Sequence, residues 1–370
     1  METMETYGAV VNAAALKVFL KRCFQINENE TNRSVICIWG PAGIGKTSIV
    51  KQFKEEGYQI VDIPIAQFEE MGDFHGLPVT ENIGGTVVTV TAPPQWVPRE
   101  EARGILLFDD WNRADVRIIK GLMQLFQNYR MVTWEVPKGW NIVCTGNPDN
   151  EEGYLVTSLD KAILTRMKHV QLIVDYRDWA VWAQENGVDK RAISFILKYN
   201  EMLAPQNTER TNPRSWVEAF KILKYFEDVN DKNVKEVLQH VEASVDATAA
   251  NTFVTFLLQD VGLVVEPEQI LEDYAEAEKK LRKLANNDRI DMIAVSTERL
   301  FLYLIDDNYK PKSKHKENLL KFIKNKFFDE KCMKDARYAF VYRLVNMKKS
   351  TIISMLTGDN ELASMIAEVV

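Results

Sequence analysis

The amino-acid sequence predicts an α/β protein with a parallel sheet covered by helices on both faces, followed by a helical region. Short runs rich in β-branched residues alternate with helical stretches, and these runs are mostly apolar with no regular alternation of apolar and polar residues. A strand that does not alternate apolar with polar residues is buried on both faces, as in parallel sheets. After about residue 175 the strand pattern disappears. The five predicted strands are 34–39, 58–64, 105–109, 141–146 and 169–174.

The other elements of this first region follow from residue spacing. Residues 12–25, 47–57 and 116–129 have apolar residues at helical intervals, which predicts helices. Two insertions, 76–98 and 130–140, combine β-rich runs with Gly or Pro turn residues. Each insertion is therefore predicted to be a small hairpin that projects from the core.

Composition excludes several classes of protein. The four cysteines are Cys23, Cys37, Cys144 and Cys332. They lie far apart and no histidine stands at metal-ligand spacing from them, so neither a disulfide framework nor a zinc site is predicted. We expect a reducing, cytoplasmic compartment and no membrane segment, since the apolar run 253–265 is interrupted by Gln259 and Asp260. The net charge of -7 argues against a protein coated with nucleic acid, but does not exclude a local basic patch.

A phosphate-binding motif follows the first predicted strand. The sequence GPAGIGKTS matches G-x-x-x-x-G-K-[ST] at every fixed position, between a predicted strand and a predicted helix. Glycines allow backbone N–H groups to turn toward phosphate oxygens, and the helix N-terminus adds its positive dipole end. Lys46 is expected to contact the β- and γ-phosphates of ATP, and Thr47 to bind Mg²⁺. The alternative is a glycine-rich turn with a chance lysine. The residues predicted to bind the nucleotide are Gly40, Pro41, Ala42, Gly43, Ile44, Gly45, Lys46, Thr47 and Ser48.

Two adjacent carboxylates follow the third predicted strand. P-loop proteins end this strand in an Asp that holds Mg²⁺, so Asp109 is the predicted metal ligand beside Thr47. A metal also neutralises a carboxylate that would be costly to bury unpaired. Asp110 is the candidate base that orients and deprotonates the attacking water. The alternative for Asp110 is a solvated Asp at a strand end.

Together these motifs resemble the AAA+ ATPases, and within them the MoxR-like branch and its dynein-related relatives. The matching segments are GPAGIGKTS, GLPV with APPQWVP, GILLFDDWNRAD, VPKGWNIVCTGNPDNEEGYLVTSLDKAILTRM and TNPRSWVEAF, over about residues 30 to 225. The resemblance implies a P-loop AAA+ core and hydrolysis of Mg-ATP. Family members usually carry Glu where this chain has Asp110, so we expect slow hydrolysis, because small misplacements of a catalytic group are costly.

The resemblance implies three further catalytic residues. Asn147 in TGNP matches the polar sensor, Arg166 in LDKAILTRM matches the arginine finger that reaches a neighbouring subunit's nucleotide, and Arg214 in NPRSW matches the second sensor, on the lid. Asn147 follows a predicted strand, at the sheet edge where α/β proteins bind ligands. Arginines can stabilise charge on a transferred phosphoryl group. The alternatives are an Asn-Pro turn and two ordinary surface arginines.

The resemblance also implies an organisation and a class of work. We expect an α/β nucleotide-binding domain with an N-terminal helix at 1–175, a helical lid at 176–260 and a helical C-terminal extension at 261–370. A finger that acts in trans requires a subunit interface, and a head-to-tail interface closes into a homo-oligomeric ring, expected to be a hexamer. The leading hypothesis is ATP-driven remodelling or chaperoning of a protein partner. The resemblance also implies a von Willebrand factor A-type protein as a candidate partner.

Other functions remain open at the level of sequence. Residues 310–349 contain thirteen Lys and Arg against four Asp and Glu, with aromatic residues interleaved, as a nucleic-acid surface requires. An ATP-driven nucleic-acid motor or clamp is therefore one alternative, and a nucleotide-gated scaffold with slow turnover is another. Helical spacing of the aromatic residues favours a helical core with a solvated lysine-rich face. Phe74 and His75 are candidates for gripping a polymer in a ring's pore, although local packing is preferred.

Overall fold

The chain forms two compact units, Met1–Asp175 and Tyr176–Val370. The structure is a computed structural model, and it describes residues 8–30, 32–131, 133–148, 156–157, 161–205, 208, 210–331, 333–347 and 349–356. The further division of residues 176–370 into a lid and a C-terminal extension stays a prediction.

A parallel sheet forms the centre of the first unit. The strands in the described residues are β1 (Ala9–Val11), β2 (Val35–Trp39), β3 (Gln59–Ile63), β4 (Leu77–Ile83), β5 (Thr86–Ala92), β6 (Gly104–Phe108), β7 (Trp140–Gly146) and β8 (Met167–Leu172). Six of them form the sheet, in the order β1-β8-β2-β7-β6-β3, and every pairing in it is parallel. The predicted parallel architecture is confirmed, but the prediction of five strands is wrong. The additional strand, β1, has only three residues, too few to give a periodic signal in the sequence.

Helices bury both faces of this sheet. They are α1 (Ala13–Asn29), α2 (Lys46–Lys51), α3 (Met71–His75), α4 (Val116–Asn128) and α5 (Lys161–Leu164). Successive strand residues point to opposite faces. One apolar cluster joins Phe24 of α1 to Ile36 and Ile38 of β2, and the other joins Phe126 of α4 to Cys37 of the same strand.

Polar side chains fix where the long helices begin. Asn12 caps α1 by accepting a hydrogen bond from the Ala15 amide at 3.0 Å. Asp115 caps α4 in the same way, accepting from the Arg117 amide at 2.8 Å. Each cap satisfies a backbone donor that has no partner inside the helix.

The two inserted segments have different structures. Strands β4 and β5 pair antiparallel along their whole length and are joined by Gly84 and Gly85, so the first hairpin is confirmed. Both glycines have positive φ, as tight hairpin turns require. The described part of the second segment contains a single antiparallel bridge, between Arg130 and Glu135. It does not project as predicted, because its apolar residues are buried in the core of the unit. They are Met131, Trp134 and Val136.

Phe74 belongs to the core of the first unit. Its side chain is fully buried, and its ring stacks on Trp96 at a centroid distance of 6.0 Å and meets Trp134 edge-on. The local-packing interpretation is therefore confirmed for Phe74, which is not available to grip a polymer.

The described part of the second unit contains helices and no strands, as predicted. The helices are α6 (Tyr176–Glu185), α7 (Lys190–Lys198), α8 (Pro213–Phe220), α9 (Val234–Ser244), α10 (Ala247–Gln259), α11 (Pro267–Glu272), α12 (Tyr274–Asn286), α13 (Ile290–Ile305), α14 (Ser313–Ile323), α15 (Phe327–Glu330), α16 (Lys334–Asn346) and α17 (Ser350–Leu356). An aromatic cluster of Phe195, Trp216 and Phe253 packs α7, α8 and α10 together.

A helix can span a bilayer only if it meets a criterion of length and apolar composition. Among the described residues, no helix alone is long and apolar enough to cross a bilayer. One pair, Ala247–Gln259 with Val261–Glu272, passes the criterion only when the two are taken together, and it is bent by 45°. Buried core helices meet the same criterion, and α10 contributes six residues to the buried core.

Candidate nucleotide-binding site

Three strand ends meet at one edge of the parallel sheet. Gly40 follows β2, Asp109 follows β6 and Asn147 follows β7, and β7 lies between the other two strands. Because the strands are parallel, their carboxyl ends lie on the same side, where open α/β sheets bind ligands. The fold thus brings the predicted phosphate loop, carboxylates and sensor residue together.

The phosphate loop has a backbone that requires glycine. Gly43 and Gly45 have φ values of 78° and 100°, in the left-handed region that favours glycine. An added Cβ at Gly45 would meet nothing within 4 Å, so this glycine is needed for its backbone conformation and not for space. An added Cβ at Gly40 would lie 2.6 Å from the Ile44 side chain. The loop ends where α2 begins, at Lys46.

Lys46 is buried within the loop that it follows. Lys46 is 6% exposed, and its Nζ donates hydrogen bonds to the carbonyl oxygens of Gly40 and Pro41 at 2.6 and 2.9 Å. A third hydrogen bond, of 3.0 Å, reaches Oδ1 of Asn147. A buried ammonium needs such compensation. These oxygens fix the position of the Lys46 ammonium group beside the loop. Phosphate oxygens are equally suitable hydrogen-bond partners for an ammonium group.

Asp109 is held by two hydroxyl groups. Oγ1 of Thr47 and Oγ1 of Thr145 each donate to Oδ1 of Asp109 at 2.5 Å. A hydroxyl beside a carboxylate is the oxygen chemistry that Mg²⁺ prefers, and one or two protein ligands are enough when phosphates and water complete the shell. Thr47 and Asp109 therefore fit the predicted ion. No group of three or more His, Cys, Asp or Glu suited to a metal occurs among the described residues.

Asp110 has different surroundings from its neighbour. Its backbone lies in the left-handed region, with φ 48° and ψ 41°, a conformation that Asp tolerates better than most residues. Oδ1 accepts a hydrogen bond from Nδ2 of Asn147 at 3.1 Å, and Oδ2 lies 3.7 Å from the Arg113 guanidinium. Its amide donates to the Thr145 hydroxyl at 3.1 Å. One carboxylate thus faces hydroxyls and the other faces an amide and a cation.

Asn147 connects the lysine to the second carboxylate. It is 1% exposed, and its side-chain amide accepts from Lys46 through Oδ1 while donating to Asp110 through Nδ2. Asn112 holds the backbone of Asn147 from the other side. Its Nδ2 donates to the Asn147 carbonyl at 2.7 Å, and its Oδ1 accepts from the Asn147 amide at 3.2 Å. The orientation of Asn147 is therefore fixed through both its side chain and its backbone.

Sequence reasoning missed Asn112 and Thr145 as site residues. Both are fully buried, and each bonds an atom of a predicted site residue. The sequence gives little indication that these two residues belong to the site. Asn112 lies in WNRAD and Thr145 in TGNP, so both lie within quoted motifs and only their polarity in apolar surroundings distinguishes them.

Arg166 lies away from this edge. It directly precedes β8, whose first residue, Met167, is in register with Val35 at the start of β2. Five residues of strand separate that level from Gly40, roughly 16 Å at the usual rise of about 3.3 Å per residue. The guanidinium donates to Oε1 of Gln127 through Nε at 3.1 Å and also to the Ala162 carbonyl. Arg166 is thus at the amino edge of the sheet, opposite its own phosphate loop.

Two other parts of the predicted site are Arg214 and the segment between Asn147 and Arg166. Arg214 belongs to the second unit, where it lies in the first turn of α8, and its role stays a prediction. The segment that resembles the family between Asn147 and Arg166 includes residues 149–155 and 158–160, which lie outside the described residues.

Comparison with known proteins gives the following. No protein-family model and no curated protein matches the chain. Among solved structures, a mutant of Thermotoga maritima RuvB has 14% identity and a TM-score of 0.37, over 73% of this chain and 78% of that one. The T. maritima RuvB Holliday junction branch migration motor has 14% identity and a TM-score of 0.35, over 71% and 76%. A closed-state reconstruction of Hsp104 with ATPγS and FITC-casein has 15% identity and a TM-score of 0.32, over 48% and 34%.

Proposed function

We propose that this chain is an AAA+ ATPase that binds and hydrolyses Mg-ATP at the carboxyl edge of its parallel sheet. The observation that carries the proposal is the continuous set of contacts from Lys46 through Asn147 to Asp110. It places a phosphate-binding cation and a candidate base on one amide. A chance glycine-rich turn would have no reason to meet the ends of two other strands in this way.

Each residue has a distinct role in the proposed reaction. Lys46 and the loop amides would hold the phosphates, and Thr47 and Asp109 would hold Mg²⁺, which neutralises phosphate charge when bound. Asp110 would orient and deprotonate the attacking water, and Asn147 would fix the direction of that carboxylate. The role of Asn147 is to position polar groups and requires no change in its own protonation.

The location of Arg166 supports a ring. An arginine at the opposite edge of the sheet is poorly placed to serve its own phosphate loop, which favours a role at the phosphate loop of a neighbouring copy. A head-to-tail contact of this kind gives a ring when the rotation between copies closes. We therefore propose a MoxR-like homo-oligomeric ring, hexameric by resemblance, that couples hydrolysis to the remodelling of a protein partner.

The nucleic-acid alternative gains no support from the C-terminal helices. Most of the interleaved aromatic residues face inward, since Phe322, Phe327, Phe328 and Phe340 are buried, whereas Tyr342 is 48% exposed. Seven of the basic residues between 310 and 349 form ion pairs with acidic side chains: Lys312, Lys321, Lys331, Lys334, Arg337, Arg343 and Lys349. Much of the charge excess is therefore compensated within the unit. Tyr309, which precedes this basic stretch, is also buried, and its hydroxyl forms a 2.9 Å hydrogen bond with Nδ1 of His315.

The proposal is tested by the variant Lys46→Ala, with Lys51→Ala as its control. Lys51 lies on the same helix, but its exposed side chain pairs with Asp62. We expect Lys46→Ala to weaken ATP binding by about tenfold to hundredfold, because charge-assisted hydrogen bonds are worth about 1.5–3 kcal/mol. Titration calorimetry with ATP and Mg²⁺ measures this. Equal ATP affinity in the Lys46 variant, the Lys51 variant and the parent would refute the phosphate-site assignment.

A further inference from the structure

His169 lies between the phosphate-loop strand and the segment that carries Arg166. Its Nδ1 receives a hydrogen bond of 2.9 Å from the indole Nε1–H of Trp39, the residue directly before Gly40. Its Nε2 lies 2.7 Å from the carbonyl oxygen of Leu164, two residues before Arg166. The imidazole ring also stacks on Trp39 at a centroid distance of 6.0 Å.

The chemistry of the partners defines what His169 does. An indole N–H can only donate and a carbonyl can only accept. Nδ1 of His169 must therefore accept, and Nε2 must carry the proton that it donates to Leu164. Both ring nitrogens of His169 are therefore used in hydrogen bonds, one as acceptor and one as donor. Only a side chain with an acceptor and a donor in these two positions can join Trp39 to Leu164.

Each end of this connection leads to a functional segment. Trp39 is 1% exposed and meets the ring of Trp111, which stands two residues after Asp109, at a centroid distance of 6.2 Å. At the other end, Leu164 is the last residue of α5, and the guanidinium of Arg166 bonds to the Ala162 carbonyl of that same helix. The backbone of Arg166 also bonds this helix, donating to the Ile163 carbonyl at 3.1 Å. Helix α5 and Arg166 are thus one local structure, and His169 attaches it to the phosphate-loop strand.

We propose that His169 is a positioning residue for the arginine finger, holding α5 and Arg166 at the height on the sheet from which the guanidinium reaches the neighbouring subunit's nucleotide. This inference rests on the proposed function, because it requires Arg166 to act in trans. The side-chain hydrogen bonds of His169 go to Trp39 and Leu164, which are not among the proposed nucleotide-binding residues. The effect of His169 appears in the site of the next subunit and not in its own.

Two variants each remove one of the two bonds. His169→Gln keeps a donor at the position of Nε2 and loses the acceptor for Trp39. His169→Asn keeps an acceptor at the position of Nδ1 and loses the donor to Leu164. Both preserve polarity in the site, so either variant can serve as the test if the other does not fold. Both variants are expected to bind ATP with the parental affinity.

The test uses mixed oligomers of two parental variants. Arg166→Ala subunits have an intact nucleotide site but no arginine finger. Asp110→Asn subunits have an intact arginine finger but no base. Activity in the mixture therefore comes from Arg166 of an Asp110→Asn subunit acting at the nucleotide site of an Arg166→Ala subunit. We expect His169→Gln placed in the Asp110→Asn subunit to lower the restored kcat by more than tenfold, up to about 10²-fold for a displacement near 1 Å. Placed in the Arg166→Ala subunit, it should leave the restored rate at the parental value.

The outcomes separate this inference from the proposed function. If the parental mixture never regains activity although the subunits co-assemble, the trans role fails and the inference falls with it. If the mixture regains activity and His169→Gln lowers it equally from either subunit, His169 is a general packing residue and only the inference is refuted. Restored activity that is indifferent to both His169 variants also refutes it.

Discussion

At the scale of single residues, Asp109 and Asp110 are neighbours in sequence with different chemical surroundings. One carboxylate oxygen of Asp109 accepts hydrogen bonds from two hydroxyl groups, and Asp110 accepts a hydrogen bond from the side-chain amide of Asn147. The roles of metal ligand and base were assigned from sequence order alone. One of the two hydroxyls that donate to Asp109 belongs to Thr47, the other predicted Mg²⁺ ligand, and both roles stay predictions. Asp110 also has a backbone that Asp and Asn tolerate, so Asn is a suitable replacement for testing its charge.

Asp110→Asn and Asp109→Asn are predicted to differ in what they damage. Asp110→Asn should spare ATP binding and slow hydrolysis by about 10²- to 10⁴-fold, the usual loss for a general base. Asp109→Asn should also weaken the Mg²⁺-dependent part of ATP binding, because it removes a metal ligand. ATP affinity with Mg²⁺ and with EDTA, and the steady-state rate of phosphate release, measure these effects. Asp110 is not the base if Asp110→Asn hydrolyses ATP as fast as the parent.

At the scale of elements, the strands with an apolar run of their own and the first inserted hairpin were predictable, whereas the shortest strand and the second insertion were not. The five runs became β2, β3, β6, β7 and β8. The signal is strongest in β2, β6 and β7, which are buried along their whole length, and weaker in β3, a partly exposed edge strand. Strand β1 was missed because a three-residue edge strand depends on its partner β8 and not on a pattern of its own. The segment 130–140 has the turn residues of a hairpin, yet its aromatic and aliphatic side chains are drawn into the core. Asn112 was missed for a similar reason, since its partner is the backbone of a residue far away in the chain.

A charged group between helices of the second unit gives a prediction about stability. Asp260 accepts hydrogen bonds from Lys198 at 2.5 Å and from Arg289 at 2.7 Å, and it is 8% exposed. Burial alone would raise the pKa of the Asp260 carboxyl, but the hydrogen bonds and charges of Lys198 and Arg289 outweigh burial and leave the pKa below its usual value. A lowered folded-state pKa stabilises the protein above the unfolded-state value, near pH 4, and this contribution is lost as the pH falls through the folded-state value.

Asp260→Asn should therefore destabilise the second unit at pH 7 by about 3 kcal/mol, the scale for breaking a buried ion pair. The difference from the parent should shrink as the pH is lowered below about 4, because Asp260 is then protonated in the unfolded parent, and it should vanish once the pH falls below the lowered folded-state pKa. Urea unfolding followed by far-ultraviolet circular dichroism at several pH values measures both. Glu276→Gln is the control, since the exposed pair of Glu276 with Lys279 should contribute less than about 1 kcal/mol. A loss from Asp260→Asn that is the same at pH 3 and pH 7 would contradict this account.

At the scale of the whole molecule, the site described in one chain lacks an arginine that the proposed reaction requires. The predicted finger, Arg166, lies at the amino edge of the sheet, directly before β8, whereas Lys46 and Asp109 lie at the carboxyl edge. A single sequence encodes both parts but cannot specify that they meet between two copies. The central claim is therefore that each nucleotide site is completed by a neighbouring subunit.

Mixing of two inactive variants tests this claim most directly. Arg166→Ala and Asp110→Asn should each bind ATP and assemble, and each alone should have little turnover, because an arginine finger and a general base each contribute several orders of magnitude to the rate. Co-assembled at equal amounts, they should regain part of the parental rate of phosphate release, since an intact Arg166 can then serve an intact Asp110 site in the next subunit. Mixtures that co-assemble and yet remain as inactive as the separate variants would contradict a site shared between subunits.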